Sequence, residues 1–214
     1  MDFDAAAATW DDDEQRARRT QAIAAEIRSR LGERTYHRAI DFGAGTGALS
    51  LLLADRFDEI LLVDTSPGML AAAAGKIAAA GPALAARIRP LAVDLTSDDP
   101  AGRPEPGSVD VVYTSMALHH VPDVARLLHT FHALLAPGGL LLVADLAADA
   151  DGSYHGHDEA FGGHHGFAPD QLRSALSAGG FATSEVSTVF VVRRAVDGAE
   201  RDYPVLLAVA GRVS

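Results

Sequence analysis

Apolar positions along the chain switch repeatedly between a period of about 3.6 and short continuous runs, the pattern of helices alternating with buried strands. After an acidic opening, Ile23, Ile27 and Leu31 recur at helical spacing and predict a helix before the first strand. An apolar run ending at Ile40 gives strand one, Thr46 to Ala54 a helix, and Glu59 to Val63 a second strand that ends in Asp64. Ser66-Pro67 opens another helix, with serine as N-cap and proline at the first helical position. Leu91 to Val93 is a short third strand ending in Asp94, and Thr96 to Ser108, rich in Pro, Gly and Asp, is a loop. Val109 to Thr114 forms strand four. A helix with the stripe Val124, Leu127, Leu128, Phe131, Leu134 and Leu135 follows, with Pro137-Gly138-Gly139 as its stop. Leu140 to Leu146 is apolar on both faces, as a central parallel strand requires. Pro169 to Ala178 is a last helix closed by Gly179-Gly180, and Val186 to Val192 pairs with Pro204 to Val209 through a turn around Asp197-Gly198. No fixed-period repeat occurs, and the alanine stretches Ala5 to Ala8 and Ala71 to Ala74 are helix formers.

Strands alternating with helices predict an α/β fold around a mostly parallel sheet. With 214 residues, 48% of them hydrophobic, the chain can bury one sizeable core, so residues 1–214 are expected to form a single domain. A formal charge of −11 argues against a broad nucleic-acid surface and favours a small-molecule substrate. The sequence shows no cysteine, no charged-then-apolar pattern of a leader and no apolar run of about 18 residues. The expectation is therefore a cytoplasmic protein without a membrane partner.

Chemistry concentrates in Ala39-Ile40-Asp41-Phe42-Gly43-Ala44-Gly45-Thr46-Gly47-Ala48, where an apolar run meets an acid and then three alternating glycines. Such a segment turns a strand sharply into a helix around a ligand. Gly43, Gly45 and Ala48 also fit the dinucleotide fingerprint. Asp41 would repel a pyrophosphate but suits an ammonium group, and Gly47 extends the turn beyond what a pyrophosphate requires. Because ligands of open parallel sheets bind beyond the carboxyl ends of the strands, Asp41, Asp64 and Asp94 are expected to converge on one crevice.

These motifs resemble the class I S-adenosylmethionine-dependent methyltransferases, whose first motif runs acid-x-Gly-x-Gly-x-Gly. Thr65-Ser66-Pro67-Gly68-Met69 is similar to the segment that follows the family's ribose-binding acid. Asp110 to His120 is similar to its fourth-strand motif, and Leu135-Ala136-Pro137-Gly138-Gly139 to the turn before strand five. The resemblance covers roughly Ala39 to Leu146 and extends to the helix ending Ala178-Gly179-Gly180-Phe181 and the final hairpin. It implies a Rossmann-like seven-stranded sheet with helices on both faces and a C-terminal antiparallel hairpin. It also implies S-adenosylmethionine as cofactor: Asp41, Gly43, Gly45 and Gly47 at its amino-acid end, Asp64 and Thr65 at ribose, and Met69, Asp94 and Leu95 at adenine. Ser115 and Met116 would lie near the methyl donor, and Trp10, within residues 1–31, would close over the cofactor. Two alternatives stand beside this reading: a nicotinamide-dependent oxidoreductase and a non-catalytic nucleoside-binding or interaction module. Only 68 residues follow Leu146, which leaves little room for the substrate region that a dehydrogenase needs.

The acceptor, at an O, N, S or C atom, is expected to face Ala147 to Phe167, read as a solvated, glycine-rich substrate lid. This stretch holds five glycines with Asp149, Asp151, Tyr154, His155, His157, Asp158, Glu159, His164 and His165. Tyr154, His164 and His165 are substrate-side candidates. His155-x-His157 lacks the helical spacing that would fix ligand geometry, so no metal is expected. His119, just after strand four, is the candidate general base. His120 is expected to hydrogen-bond a neighbouring turn, and His129 and His132 to pack or lie on the surface.

Overall fold

A computed structural model of the chain describes residues 2–156 and 161–213. Its strands are β1 (Tyr36–Phe42), β2 (Phe57–Asp64), β3 (Ile88–Ala92), β4 (Val109–Ser115), β5 (Leu135–Leu146), β6 (Phe181–Val196) and β7 (Ala199–Arg212). They form one sheet in the order β3-β2-β1-β4-β5-β7-β6. The first five run parallel, and β7 enters antiparallel between β5 and β6. The strand order reverses between β1 and β4, so a crevice opens there beyond their carboxyl ends.

Both faces of the sheet are buried because successive strand residues point to opposite sides. Ile60 and Leu62 of β2 join one core with Tyr113, Leu142 and the helices α2 (Glu14–Leu31), α3 (Ala48–Leu53) and α4 (Pro67–Ala79). Leu61 and Val63 join the other, with Leu141, Val143 and the helices α6 (Val124–Leu134) and α7 (Pro169–Ala178). The remaining helices, α1 (Phe3–Ala6) and α5 (Pro82–Ala85), are single turns. In α2, Ile23, Ile27 and Leu31 are buried as their spacing predicts. Asp13 caps the helix by accepting from Arg16 N at 2.9 Å, and Gly32 ends it at φ +66°. Ser66 caps α4 by accepting from Met69 N at 3.1 Å, with Pro67 at its first position.

Several boundaries differ from the sequence reading. Strand β1 runs on to Phe42, and β3 lies at Ile88–Ala92 rather than around Leu91 to Val93. Helix α3 begins only at Ala48, after the last left-handed glycine. Helix α6 ends at Leu134, and Pro137-Gly138-Gly139 lies inside extended chain: the β4–β5 register shifts between Val109↔Leu135 and Val111↔Leu140. Gly139 fits because a Cβ there would stand 3.0 Å from Asp110 O. The hairpin is much longer than its apolar runs, since backbone pairing continues through Arg193↔Asp202 and Arg194↔Arg201. Its turn is Asp197-Gly198, both residues at positive φ (+52° and +78°), the two-residue geometry that suits strand twist. Among the described residues, no helix is long and apolar enough to cross a membrane.

Candidate functional site

Gly43, Gly45 and Gly47 all adopt left-handed backbone, at φ +65°, +53° and +72°, but for different reasons. A Cβ on Gly43 would overlap that of Ala117, so this glycine lets the turn meet the segment after β4. A Cβ on Gly47 would stand 3.0 Å from Leu62 Cδ1. At Gly45 the nearest atom to such a Cβ is Met69 Sδ at 3.9 Å, an ordinary contact, so packing does not demand this glycine and only its left-handed backbone does. Gly43 N and Ala44 N donate to Val63 O at 2.9 and 3.1 Å. Gly45 N donates to Asp64 Oδ2 at 2.7 Å, and Ser66 N to Asp64 Oδ1 at 2.9 Å. Asp64 therefore fastens the glycine turn to the end of β2 and keeps further lone pairs on both oxygens.

The other two acids sit in contrasting environments. Asp41 is 2% exposed; Ser50 Oγ donates to its Oδ2 at 2.7 Å, and the Tyr113 hydroxyl lies 2.6 Å from Ser50 Oγ. Burial pushes the Asp41 carboxyl up to about 7. Asp94 is exposed and accepts from Thr96 N at 2.8 Å and Thr96 Oγ1 at 2.6 Å. Partial burial works to raise its carboxyl, but the bonds from Thr96 hold it below its ordinary value. Thr65 is exposed beside Asp64, whereas Met69 and Leu95 are buried behind the crevice. Ser115 ends β4, and Met116 takes a left-handed φ of +56° while its N donates to Ala144 O at 2.8 Å. A non-glycine residue in this region carries strain of the kind that gathers at functional sites.

The N-terminal segment lies across this crevice. Asp4 Oδ1 accepts from Ser66 Oγ at 2.6 Å and Gly68 N at 2.8 Å, while Asp11 bonds Thr46 Oγ1 at 2.9 Å and Lys76 Nζ at 2.6 Å. The Phe3 ring contacts Trp10 and His120 at centroid distances of 5.8 and 5.3 Å, and the Arg16 guanidinium stacks 4.0 Å above Trp10. Trp10 thus belongs to a segment tied both to the glycine turn and to α4.

On the other side, the 3-10 turn Leu118–His120 meets the end of β5. His119 Nδ1 lies 2.5 Å from Asp145 Oδ1, and His119 N donates to Asp145 Oδ2 at 3.1 Å; both residues are buried. Leu146 N adds a bond to Oδ1 at 2.6 Å. Burial works to raise the Asp145 carboxyl, but His119 and these hydrogen bonds hold it below its usual range. An ionised Asp145 accepts, so Nδ1 carries the hydrogen and Nε2 is the basic atom of neutral His119. Asp145 escaped the sequence reading although the rule that found Asp41, Asp64 and Asp94, an acid at the end of a strand, also points to it.

His120 makes no ring hydrogen bond among the described residues, contrary to expectation; its ring packs 4.1 Å from His119 and edge-on to Phe3. His155 stacks on Phe161 at 3.9 Å, and its Nδ1 faces His165 Nδ1 at 3.4 Å. Burial, then the neighbouring His119, pushes both His120 and His155 down to about 4. Tyr154 meets His155 and Tyr203 edge-on, with Arg194 stacked 4.7 Å away. His164 N donates to His119 O at 2.7 Å, and a Cβ on Gly163 would collide with that same oxygen. Gly166 likewise runs against Ala147 O, so these two glycines serve close packing. His157, Asp158 and Glu159 lie outside the described residues. His129 bonds Ala125 O within its own helix, and half-buried His132 packs on Phe181.

Comparison with known proteins adds the family. Residues 40–141 match the family model of a methyltransferase domain. The chain is 36% identical over 122 residues to a trans-aconitate 2-methyltransferase of Methylobacterium radiotolerans, covering 56% of this chain and 42% of that protein. It is 30% identical over 151 residues to one from Deinococcus radiodurans, covering 69% and 53%. The chain thus spans about half the length of these curated relatives. The fold matches that of a Haemonchus contortus phosphoethanolamine N-methyltransferase solved with phosphomonomethylethanolamine and S-adenosylhomocysteine. There the TM-score is 0.68 at 18% identity, over 89% of this chain and 52% of that one. From the glycine turn, the order of the sheet and these matches, residues 40–141 are a methyltransferase domain, and the chain as a whole carries the class I S-adenosylmethionine-dependent methyltransferase fold.

Proposed function

We propose that the chain transfers a methyl group from S-adenosylmethionine to a small-molecule acceptor. The observation that carries this reading is the turn at Gly45. Left-handed backbone there is not crowded by the protein, since a Cβ would only touch Met69 Sδ at 3.9 Å, and it lies beside a carboxylate on β2 that already organises the turn and can still accept hydroxyl hydrogen bonds. These residues fit the cofactor: Asp64 for ribose, with Thr65 at its side; Asp94, Leu95 and Met69 around adenine; Asp41 and the turn for the amino-acid end. The strained Met116 and Ser115 lie across the turn, which Ala117 touches at Gly43. When bound, the cofactor supplies a methyl group already activated by its sulfonium.

What remains for the protein is to orient the acceptor, exclude water and remove a proton where the acceptor carries one. His119 suits that last task. Asp145 fixes its ring and leaves Nε2 as proton acceptor for a hydroxyl or amine, while Tyr154, His164, His165 and the described parts of the segment, 147–156 and 161–167, form the acceptor wall. The N-terminal segment, through Trp10 and Phe3, closes the other side.

Calorimetry with S-adenosylmethionine, S-adenosylhomocysteine and NAD tests the cofactor, with binding of the first two and not the third expected. Within the same reading, His119→Gln should lower kcat toward a hydroxyl or amine acceptor by roughly 100-fold or more, the usual contribution of a positioned base. Affinity for S-adenosylhomocysteine should stay unchanged. Undiminished kcat in a folded His119→Gln protein removes His119 from the chemistry.

A further inference from the structure

Arg19, on the second turn of α2, is half-buried, and its Nε reaches neither solvent nor a hydrogen-bond partner. The other arginines with such an Nε are served elsewhere: Arg56 pairs with Glu33 and Asp55, Arg103 donates to Leu95 O and Ser97 O, and Arg212 donates to Leu135 O. For Arg19, no hydrogen bond or ion pair occurs among the described residues.

Its surroundings make that lack informative. The start of α2 is held between two covers: Arg16 stacks on Trp10, and Gln15 Nε2 donates to Arg193 O beside Arg194, which itself donates to Tyr154 O. Arg19 therefore lies between the Trp10 segment and the acceptor wall, within electrostatic range of Tyr154, Asp13 and Asp145. Neither acid pairs with it. Asp13 caps α2 through Arg16 N and pairs with Arg16 at 3.7 Å, while both oxygens of Asp145 are engaged by His119 and Leu146. Arg16 over Trp10 and Arg194 over Tyr154 add positive charge, in a chain whose net charge is −11. An arginine Nε closed off without an acceptor is costly, and the planar donor fork of the side chain matches an oxyanion.

We propose that Arg19 anchors an oxyanion of the methyl acceptor, so that the acceptor is an anionic small molecule carrying a carboxylate or a phosphate. This rests on the methyltransferase reading for its link to catalysis, but not for the binding itself. Arg19 holds the acid group, and the reacting atom lies toward Met116 and His119.

The test is calorimetry on the full chain, with and without saturating S-adenosylhomocysteine. The titrants are tricarballylate (carboxylate), phosphoethanolamine (phosphate) and glycerol (neutral). One of the two anions should bind the wild type and raise its Tm, and glycerol should not. Arg19→Gln should weaken that anion by roughly 10- to 100-fold, the range for a lost charge-assisted pair, and abolish the Tm rise. Arg19→Lys should recover part of the affinity, and S-adenosylhomocysteine binding should be the same in all three proteins. The proposal is overturned if neither anion binds the wild type, or if Arg19→Gln binds it as tightly as the wild type does. Absence of S-adenosylhomocysteine binding would instead overturn the methyltransferase reading and leave the anion measurement standing.

Discussion

Asp41 shows how a residue can be found in a sequence while its state cannot. Its place after an apolar run and before the glycines marks it as a ligand-side acid. Nothing in the sequence tells that Ser50, in the first turn of α3, and Tyr113, from β4, close over the carboxylate and leave it 2% exposed. The consequence is a pH dependence whose direction is fixed. The folded-state value is about 7 against an ordinary 3.8, so between those values the folded chain holds a proton that the unfolded chain has released. Stability of the free protein therefore falls as pH rises from about 4 to about 7 on account of this group, by an amount on the order of a few kcal/mol. Asp41→Asn removes that dependence. Its urea midpoint, compared with the wild type from pH 4 to 8, should improve steadily up to about pH 7 and then level off. A difference that does not vary with pH would show that Asp41 is ionised throughout. An ammonium-bearing ligand needs the ionised form, so S-adenosylhomocysteine binding below pH 7 should also release protons. Calorimetry in two buffers of different ionisation enthalpy measures that release.

At the level of elements, the order of strands and helices is legible because each carries its own periodicity, and every predicted strand has a counterpart in the sheet. What the pattern missed are features set by pairing across the sheet. Pro137-Gly138-Gly139 reads locally as a helix stop, yet it sits in the irregular β4–β5 register, where Gly139 faces Asp110 O. The hairpin strands outrun their apolar cores because charged residues pair through their backbones as well as valines do. The strand-to-helix turn is intermediate: three glycines signal left-handed backbone, but only the fold separates their tasks. Gly43→Ala carries the left-handed penalty of about 1–2 kcal/mol. It also adds an overlap with Ala117, and overpacking of this kind typically costs a further 1–3 kcal/mol. Gly45→Ala carries only the first penalty, because its Cβ meets nothing nearer than 3.9 Å. Denaturation should thus show Gly43→Ala as the less stable protein. Calorimetry should show Gly45→Ala losing S-adenosylhomocysteine although its fold is nearly intact. Tight binding retained by Gly45→Ala would mean that this face of the turn is not where the cofactor lies.

Across the whole molecule, the site is assembled from segments far apart in sequence, and that is the part a single sequence hides. The N-terminal segment reaches its partners over separations of 62 and 64 residues (Asp4 to Ser66 and Gly68) and 65 residues (Asp11 to Lys76). On the opposite side, His164 N and Gly163 press on the His119 carbonyl. Aromatic and histidine content hinted at both covers, but the contacts that seat them are polar, and polar pairs leave no periodic trace. Their energetics suggest a use. The Asp11–Lys76 pair is partly exposed, and such surface pairs contribute only about 0–1 kcal/mol, too little to hold a cover shut by themselves. The aromatic contacts Phe3–His120 and His155–Phe161 lie on the inner side, where a ligand would complete the packing. Closure over a filled crevice would exclude water from the reacting atoms. Amide hydrogen exchange with and without S-adenosylhomocysteine should therefore show residues 2–12 and 161–167 gaining protection along with the glycine turn. The double variant Asp4→Ala/Asp11→Ala should release S-adenosylhomocysteine faster in a stopped-flow chase, while the affinity change stays confined to the off-rate. If the glycine turn becomes protected and neither outer segment does, both segments are fixed walls of the site, and water exclusion must come from the acceptor itself.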